Sequence, residues 1–211
     1  MATLLRIDSS ISGESSFSRR LTGAFARAWE GAGGSVVTRD LHADPLPHLP
    51  SAGLHFADRP GIPEGMPEAA LQDEAIRQVF DADALVIGAP LYNYSMPSTL
   101  KAWLDYLHVP GRTSPAPGDP APLAGKPVVV VSSRGIAYDT GTLEADRDHA
   151  VPVFRVLLGE DMGMEVEAIT LDRTLAGILP ELDQELAARL LDDALARASA
   201  RGRELASALS G

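Results

Sequence analysis

Residues 84–107 read ALVIGAPLYNYSMPSTLKAWLDYL, and the reading of this stretch decides the fold. Ala84 to Ile87 is a short apolar run bounded by Gly88 and Ala89, the length and setting of a strand buried on both faces. A polar turn, Pro90 to Ser95, follows. Pro97 falls where a first helical residue belongs, with Ser95 or Met96 before it as the cap. Leu100, Trp103, Leu104 and Leu107 then recur at i, i+3, i+4 and i+7, one face of an amphipathic helix. In open α/β sheets built from such units, ligands bind beyond the carboxyl ends of the strands. The turn at this strand end carries Tyr92, Asn93 and Tyr94, flat rings beside an amide.

Outward from this unit the alternation repeats. Leu4, Leu5 and Ile7 form a first strand ending at Asp8; Arg6 and Asp8 share one of its faces, so an ion pair is expected there. Phe17, Leu21, Phe25, Ala28 and Trp29 make a helical stripe closed by the glycines of 31–34. Ser35 to Leu41 is a second strand, Pro67 to Phe80 a helix, and Pro127 to Ser132, with four consecutive valines, a buried strand. Pro152 opens a helix carrying Val153, Phe154, Leu157 and Leu158 that closes near Gly163, and Met164 to Leu171 is the last strand. A long helix runs from Pro180 to the end, with Glu181, Asp183 and Glu185 early and Arg197, Arg201 and Arg203 late, the order its macrodipole favours. His42–Met66, with five prolines, and Val109–Lys126 break the pattern as long loops, and Thr140 to Asp148 is polar. The prediction is an α/β chain with a doubly wound, five-stranded parallel sheet in three layers, one domain over residues 1–211.

Composition narrows the function. At 211 residues, 45% hydrophobic and 22% charged, the chain can build a sizeable core. A net charge of −11 argues against nucleic acid and against anionic membrane surfaces. There is no apolar run near the roughly 20 residues that a membrane span needs. Without cysteine there are no disulfides, iron–sulfur clusters or thiolate metal sites. The first ten residues lack the organisation of a secretory signal, and the cytoplasm is the expected location. The five histidines lack metalloprotease spacing, and no GxSxG elbow or GxxxxGK[ST] loop is present, so no metal is expected.

Three polar turns should meet at the carboxyl edge of the sheet: Asp8–Ser18, Pro90–Met96 and Ser132–Tyr138. The first holds Ser9, Ser10, Ser12, Ser15, Ser16 and Ser18 where a helix begins. A helix N-terminus offers free N–H groups to a phosphate, although Ser15 or Ser16 equally serves as a simple cap. Likewise, Tyr92 to Tyr94 reads as a plain β-turn, and Ser133-Arg134-Gly135 as a turn with an exposed arginine. Their conjunction favours a site for a monophosphate and a flat ring.

Taken together, IDSSISGESSFSRRL (7–21), APLYNYSMPSTLKAWLD (89–105) and VVVVSSRGIAYD (128–139) resemble the family of FMN-dependent NADH:quinone oxidoreductases and azoreductases. DLHADPLPHL (40–49) and VPVFRVLLGEDMGM (151–164) extend the resemblance over nearly the whole chain. It implies a flavodoxin-like fold with one bound FMN. By position, the phosphate loop falls on Ser10, Ser16, Phe17 and Ser18, the central flavin turn on Leu91, Tyr92, Asn93 and Tyr94, and the second turn on Ser133, Arg134, Gly135 and Ile136. Ile136 stands where the family often has a second glycine, and residues 111–115 lack the family's aromatic.

The implied activity is transfer of two electrons from NADH or NADPH through FMN to a quinone or azo compound in a ping-pong cycle. The flavin carries the chemistry, so no side chain is named as catalytic. The Arg134-Gly135 turn is the candidate partner for the flavin's pyrimidine end. A homodimer is implied, with the central helix near the interface through Trp103 and Tyr106. The two long loops are expected to roof the flavin and select the acceptor. The alternatives are a flavodoxin-like electron carrier, which an acidic chain suits, and a hydrolase of phosphopantetheine esters using a loop serine.

Overall fold

Every residue of the strand Ala84–Gly88 is buried, which places it in the middle of the sheet. In chain order the strands are Thr3–Asp8 (β1), Ser35–Asp40 (β2), Ala84–Gly88 (β3), Pro127–Ser133 (β4) and Glu165–Leu171 (β5). They pair in parallel in the order β2-β1-β3-β4-β5, so the chain reverses its direction of travel at β1 and β3. The computed structural model describes residues 1–116, 118–138 and 144–210; Pro117 of the second loop and the first part of the polar Thr140–Asp148 segment lie outside them.

The helices Phe17–Gly31 (α1) and Gln184–Leu209 (α5) cover one face of the sheet. Pro67–Asp81 (α2), Ser98–Leu107 (α3) and Val151–Phe154 (α4) cover the other. The valines of β4 obey the period of two: Val128 and Val130 pack towards α2 and α3, Val129 and Val131 towards α1 and α5. Four fully buried residues of α3, Leu100, Trp103, Leu104 and Tyr106, fill the first of these layers.

Several expectations shift. Pro97 is the residue before α3 rather than its first, and the helix begins at Ser98. Helix α4 starts at Val151 and passes at once into π-helical turns, Arg155–Asp161. Its buried residues Phe154, Leu158 and Met162 recur every four positions, a spacing that a wider turn keeps in line. Helix α5 begins at Gln184, because the Asp183 side chain accepts from Leu186 N at 2.9 Å while Pro180 offers no such cap. Its arginines do not serve the helix end. Arg197 donates to the Thr170 carbonyl at 3.1 Å and Arg201 to Glu167 at 2.7 Å, both on β5. Trp103 and Tyr106 are sealed inside the protomer, so they offer no surface for association.

The long loops also lie elsewhere than expected. Leu46 of the first is buried in the α2–α3 layer, and Gln72 on α2 donates to the Leu54 carbonyl at 2.8 Å. The Thr113 hydroxyl of the second donates to the Leu107 carbonyl, and Lys126 Nζ caps the end of α2 through the carbonyls of Val79 and Ala82 at 2.6 and 2.5 Å. Arg59 and Arg112, one from each loop, meet on Asp73 at 2.5 and 2.7 Å. Both loops are thus fastened to α2 and α3.

Helix α1 carries the serine turn, and α5 holds it down at one close approach. A Cβ on Gly202 would lie 2.5 Å from the Phe25 carbonyl oxygen, a contact only backbone movement relieves. Gly202→Ala is expected to destabilise the protein by about 1–3 kcal/mol in urea unfolding; unchanged stability would contradict the contact.

Candidate functional site

Hydrogen bonds beyond the strand ends bring the turns together. Ser9 Oγ donates to the Gly88 carbonyl at 2.6 Å, tying the end of β1 to the end of β3. Leu91 N donates to the Ser133 carbonyl at 2.8 Å, and Arg134 N to that of Leu171 at 2.8 Å. Between them opens a cavity of about 640 Å³, within the range of cofactor sites.

The serine turn forms one wall. Gly13, at φ +52°, turns the chain into a short 3-10 segment, Gly13–Ser15. Ser16 then caps α1, its hydroxyl accepting from Arg19 N at 3.2 Å and lying 3.1 Å from Ser18 Oγ. The capping role and an open helix N-terminus therefore coexist. Across the cavity the Tyr92 hydroxyl stands 3.0 Å from Ser10 Oγ and accepts from Ile11 N at 3.2 Å. Tyr92 hooks the serine turn to the turn after β3.

That second turn is tight. Tyr92 and Ser95 exchange both main-chain bonds, at 2.8 and 3.0 Å, around Asn93 and Tyr94 at φ +48° and +70°. Two successive left-handed residues make a mirror-image turn of type I′. Asparagine tolerates that conformation, whereas tyrosine holds it at a cost of order 1 kcal/mol or more. Asn93 faces the cavity; Tyr94 faces away, with Arg147 5.7 Å from its ring centroid.

Of the residues expected in the site, Ser10, Ser16, Phe17, Leu91, Tyr92, Asn93, Ser133 and Gly135 line this cavity, while Ser18, Tyr94, Arg134 and Ile136 do not. Ser18 is buried beneath the cap. Arg134 alternates with Ser133 and turns into a separate polar cleft. There it pairs with Asp148 at 2.9 Å and approaches Asp172 at 3.7 Å, with the ring of Tyr138 5.5 Å away. It supplies no charge to the cavity, and of this turn only Ser133 and Gly135 line it. Ile136 has no positive φ, so its departure from glycine strains nothing.

The fourth wall was missed. Thr174, Leu175 and Ile178, in the loop after β5, line the cavity. Thr174 N and Oγ1 both donate to the Arg134 carbonyl at 3.0 Å, and Leu175 N to that of Gly135 at 3.1 Å. A Cβ at Gly135 would lie 2.7 Å from Leu175 Cδ1, so a larger residue there would push the Leu175 side chain aside. The signal was present as two apolar residues in a short loop ahead of Pro180. Among the described residues of the two long loops none lines the cavity, so the expected roof is not formed by them within the single chain.

Among the described residues no charged side chain lines the cavity. The donor set, serine hydroxyls at a helix N-terminus with an amide and apolar walls beyond, fits a phosphate held by dipoles and a flat ring held by contact.

The comparisons agree. A family model described as a flavodoxin-like fold matches residues 2–200. A relative from Kineococcus radiotolerans, an FMN-dependent NADH:quinone oxidoreductase, is 47% identical over 187 residues, 86% of this chain and 88% of its own. The azoreductase of Bacillus anthracis str. Sterne superposes with a TM-score of 0.80 at 24% identity, over 97% of this chain and 100% of its own. An FMN-dependent NADH-azoreductase from Bacillus anthracis str. Ames Ancestor, in complex with FMN, gives 0.79 at 19% identity over 98% and 100%. The chain belongs to the flavodoxin-like family of FMN-dependent NADH:quinone oxidoreductases.

Ser15 is exposed at the cavity, whereas a carboxylate at Ser18 would itself be buried. Ser15→Asp is expected to weaken FMN binding about tenfold or more by like-charge repulsion. The melting temperature of the apoprotein should stay within about 2 °C. Titration of the apoprotein with FMN and thermal unfolding check the two arms.

Proposed function

We propose that the chain, acting as one FMN-binding unit of the cytoplasm, oxidises NAD(P)H and reduces a quinone, with azo compounds as further acceptors. The observation that carries this is the meeting of the serine turn at α1 with Leu91, Tyr92 and Asn93 in one uncharged cavity, in a chain 47% identical to an FMN-dependent NADH:quinone oxidoreductase. Bound FMN would supply the chemistry, taking two electrons from NAD(P)H and passing them to the acceptor, so that NADH, a proton and a quinone give NAD⁺ and a quinol.

The residues divide the rest of the work. Ser10, Ser15, Ser16 and the first N–H groups of α1 would receive the phosphate. Asn93 and the main chain around Gly135 would orient the ring, while Phe17, Leu91 and Leu175 exclude water from its faces. Among the described residues no carboxylate, histidine or lysine lines the cavity, so the quinol takes its protons from water. Donor and acceptor use one open mouth in turn, which is the reason for a ping-pong order.

Ile11 and Ile178, 64% and 75% exposed, stand at that mouth as an apolar rim. A second copy of the chain covering this rim, and not α3, is the proposed homodimer. Steady-state rates should give parallel double-reciprocal lines against NADH at several quinone concentrations; intersecting lines would refute the ping-pong order, and no NADH oxidation would refute the enzyme. Sedimentation should report a dimer at micromolar concentration, and Ile178→Asp should shift it to monomer. A wild type that sediments as a monomer throughout removes the dimer.

A further inference from the structure

Beneath the serine turn lies a cluster of charge in an otherwise apolar layer. Asp8, only 2% exposed, accepts from Thr22 Oγ1 at 2.7 Å and pairs with Arg6 at 2.8 Å. Arg6 also donates to the Arg19 carbonyl at 3.2 Å. Arg19 stands with Nη1 3.8 Å from the Asp8 carboxylate. It then reaches the other way: Nη1 and Nη2 hold the two oxygens of Asp40, the last residue of β2, at 2.6 and 2.7 Å. Nη2 donates in addition to the main-chain carbonyl of Ser10 at 3.0 Å. Ion pairs drawn partly out of water, as here with only Asp8 fully buried, are weak evidence of stability, because desolvation offsets much of the attraction; their better-attested use is to specify position. What this one positions is the Ser10 turn.

We propose that Arg19 is a positioning residue for the phosphate of the bound flavin nucleotide, acting through the Ser10 carbonyl and anchored by Asp40. The inference rests on the reading of the serine turn as a phosphate site. Arg19 is absent from the cavity lining, so it reaches a ligand only through the turn. Ser10 is gripped from two sides: its carbonyl by Arg19 from beneath, its hydroxyl by Tyr92 across the cavity. Ser12 N in turn donates to Ser10 Oγ at 3.2 Å, so the orientation of Ser10 sets that of the next N–H groups.

The guanidinium suits the task because its planar fork meets three acceptors at fixed angles, which a lysine ammonium on a flexible stem does not. The hydrogen bond from Arg19 holds the Asp40 carboxyl at about 2, burial opposing it, so the anchor is fully ionised at neutral pH. The residues that would contact the ring, Leu91, Asn93 and Gly135, have no hydrogen bond or ion pair to this cluster, and Tyr92 beside them reaches the turn through the Ser10 hydroxyl and Ile11 N rather than through Arg19. Loss of Arg19 should therefore be felt by the phosphate and not by the ring.

FMN and riboflavin differ by that phosphate, which makes them the probe pair. Apoproteins of the wild type, Arg19→Met and Arg19→Lys are titrated with each ligand by flavin fluorescence, and their unfolding is followed separately. FMN affinity should fall about tenfold or more in Arg19→Met and by less in Arg19→Lys, the range expected for losing a hydrogen bond from a charged donor. Riboflavin affinity should stay within about twofold. Parallel loss of both ligands, or no loss of FMN affinity, overturns the proposal. If Arg19→Met does not fold, Arg19→Lys and Asp40→Asn decide by the same FMN-to-riboflavin ratio. A wild type that binds riboflavin as tightly as FMN overturns the phosphate reading beneath the proposal, a result distinct from a ratio that the variants leave unchanged.

Discussion

Past its carboxyl end the sheet continues as single hydrogen bonds from loop to loop, and the site exists because of them. Ser9 to Gly88, Leu91 to Ser133, Arg134 to Leu171 and Leu175 to Gly135 each join a turn to its neighbour. Loops so joined lose the freedom that connecting segments ordinarily keep. The cavity is therefore an extension of the sheet's own register, and its central wall continues β3, a strand buried on both faces. Deleting one such bond would loosen two walls together.

Polar chemistry is sorted into two levels. The cavity itself presents hydroxyls, amides and apolar surface, while Arg6, Asp8, Arg19 and Asp40 pair with one another beneath the serine turn. An anion held by hydroxyls and N–H dipoles at short range is less exposed to ionic screening than one held by distant charge. In a chain of net charge −11, a local arrangement that does not depend on long-range attraction is well suited to receive a phosphate.

Much of this was legible in the amino-acid sequence because periodicity reports burial. The Ala84–Ile87 run, the stripe of α3 and the valines of β4 each have one geometric solution, and the switch-point rule then places three turns side by side. What was misread depends on direction or on distance along the chain. Arg134 was grouped with its neighbours, although alternation from Ser133 already turns it to the opposite side. Trp103 and Tyr106 looked too large for one layer to cover, but Gln72 and the long loops, remote in sequence, complete that cover. Proline content marked those loops as special without saying which surface they would seek. The β5 loop escaped notice because two of its lining residues, Leu175 and Ile178, carry no polar signature, and Leu175 acts by shape against Gly135.

The arginines on α5 have a consequence for how copies of this protein can meet. β5 is an edge strand, and edge strands recruit other strands through unpaired carbonyls, the route to fibrils and to sheet-to-sheet dimers. Arg197 occupies the Thr170 carbonyl on that edge, and Arg201 fixes Glu167 beside it. A guanidinium seated there must be evicted before an incoming strand can pair. On this side growth of the sheet by β-augmentation is obstructed, and any neighbour is steered towards helices and turns.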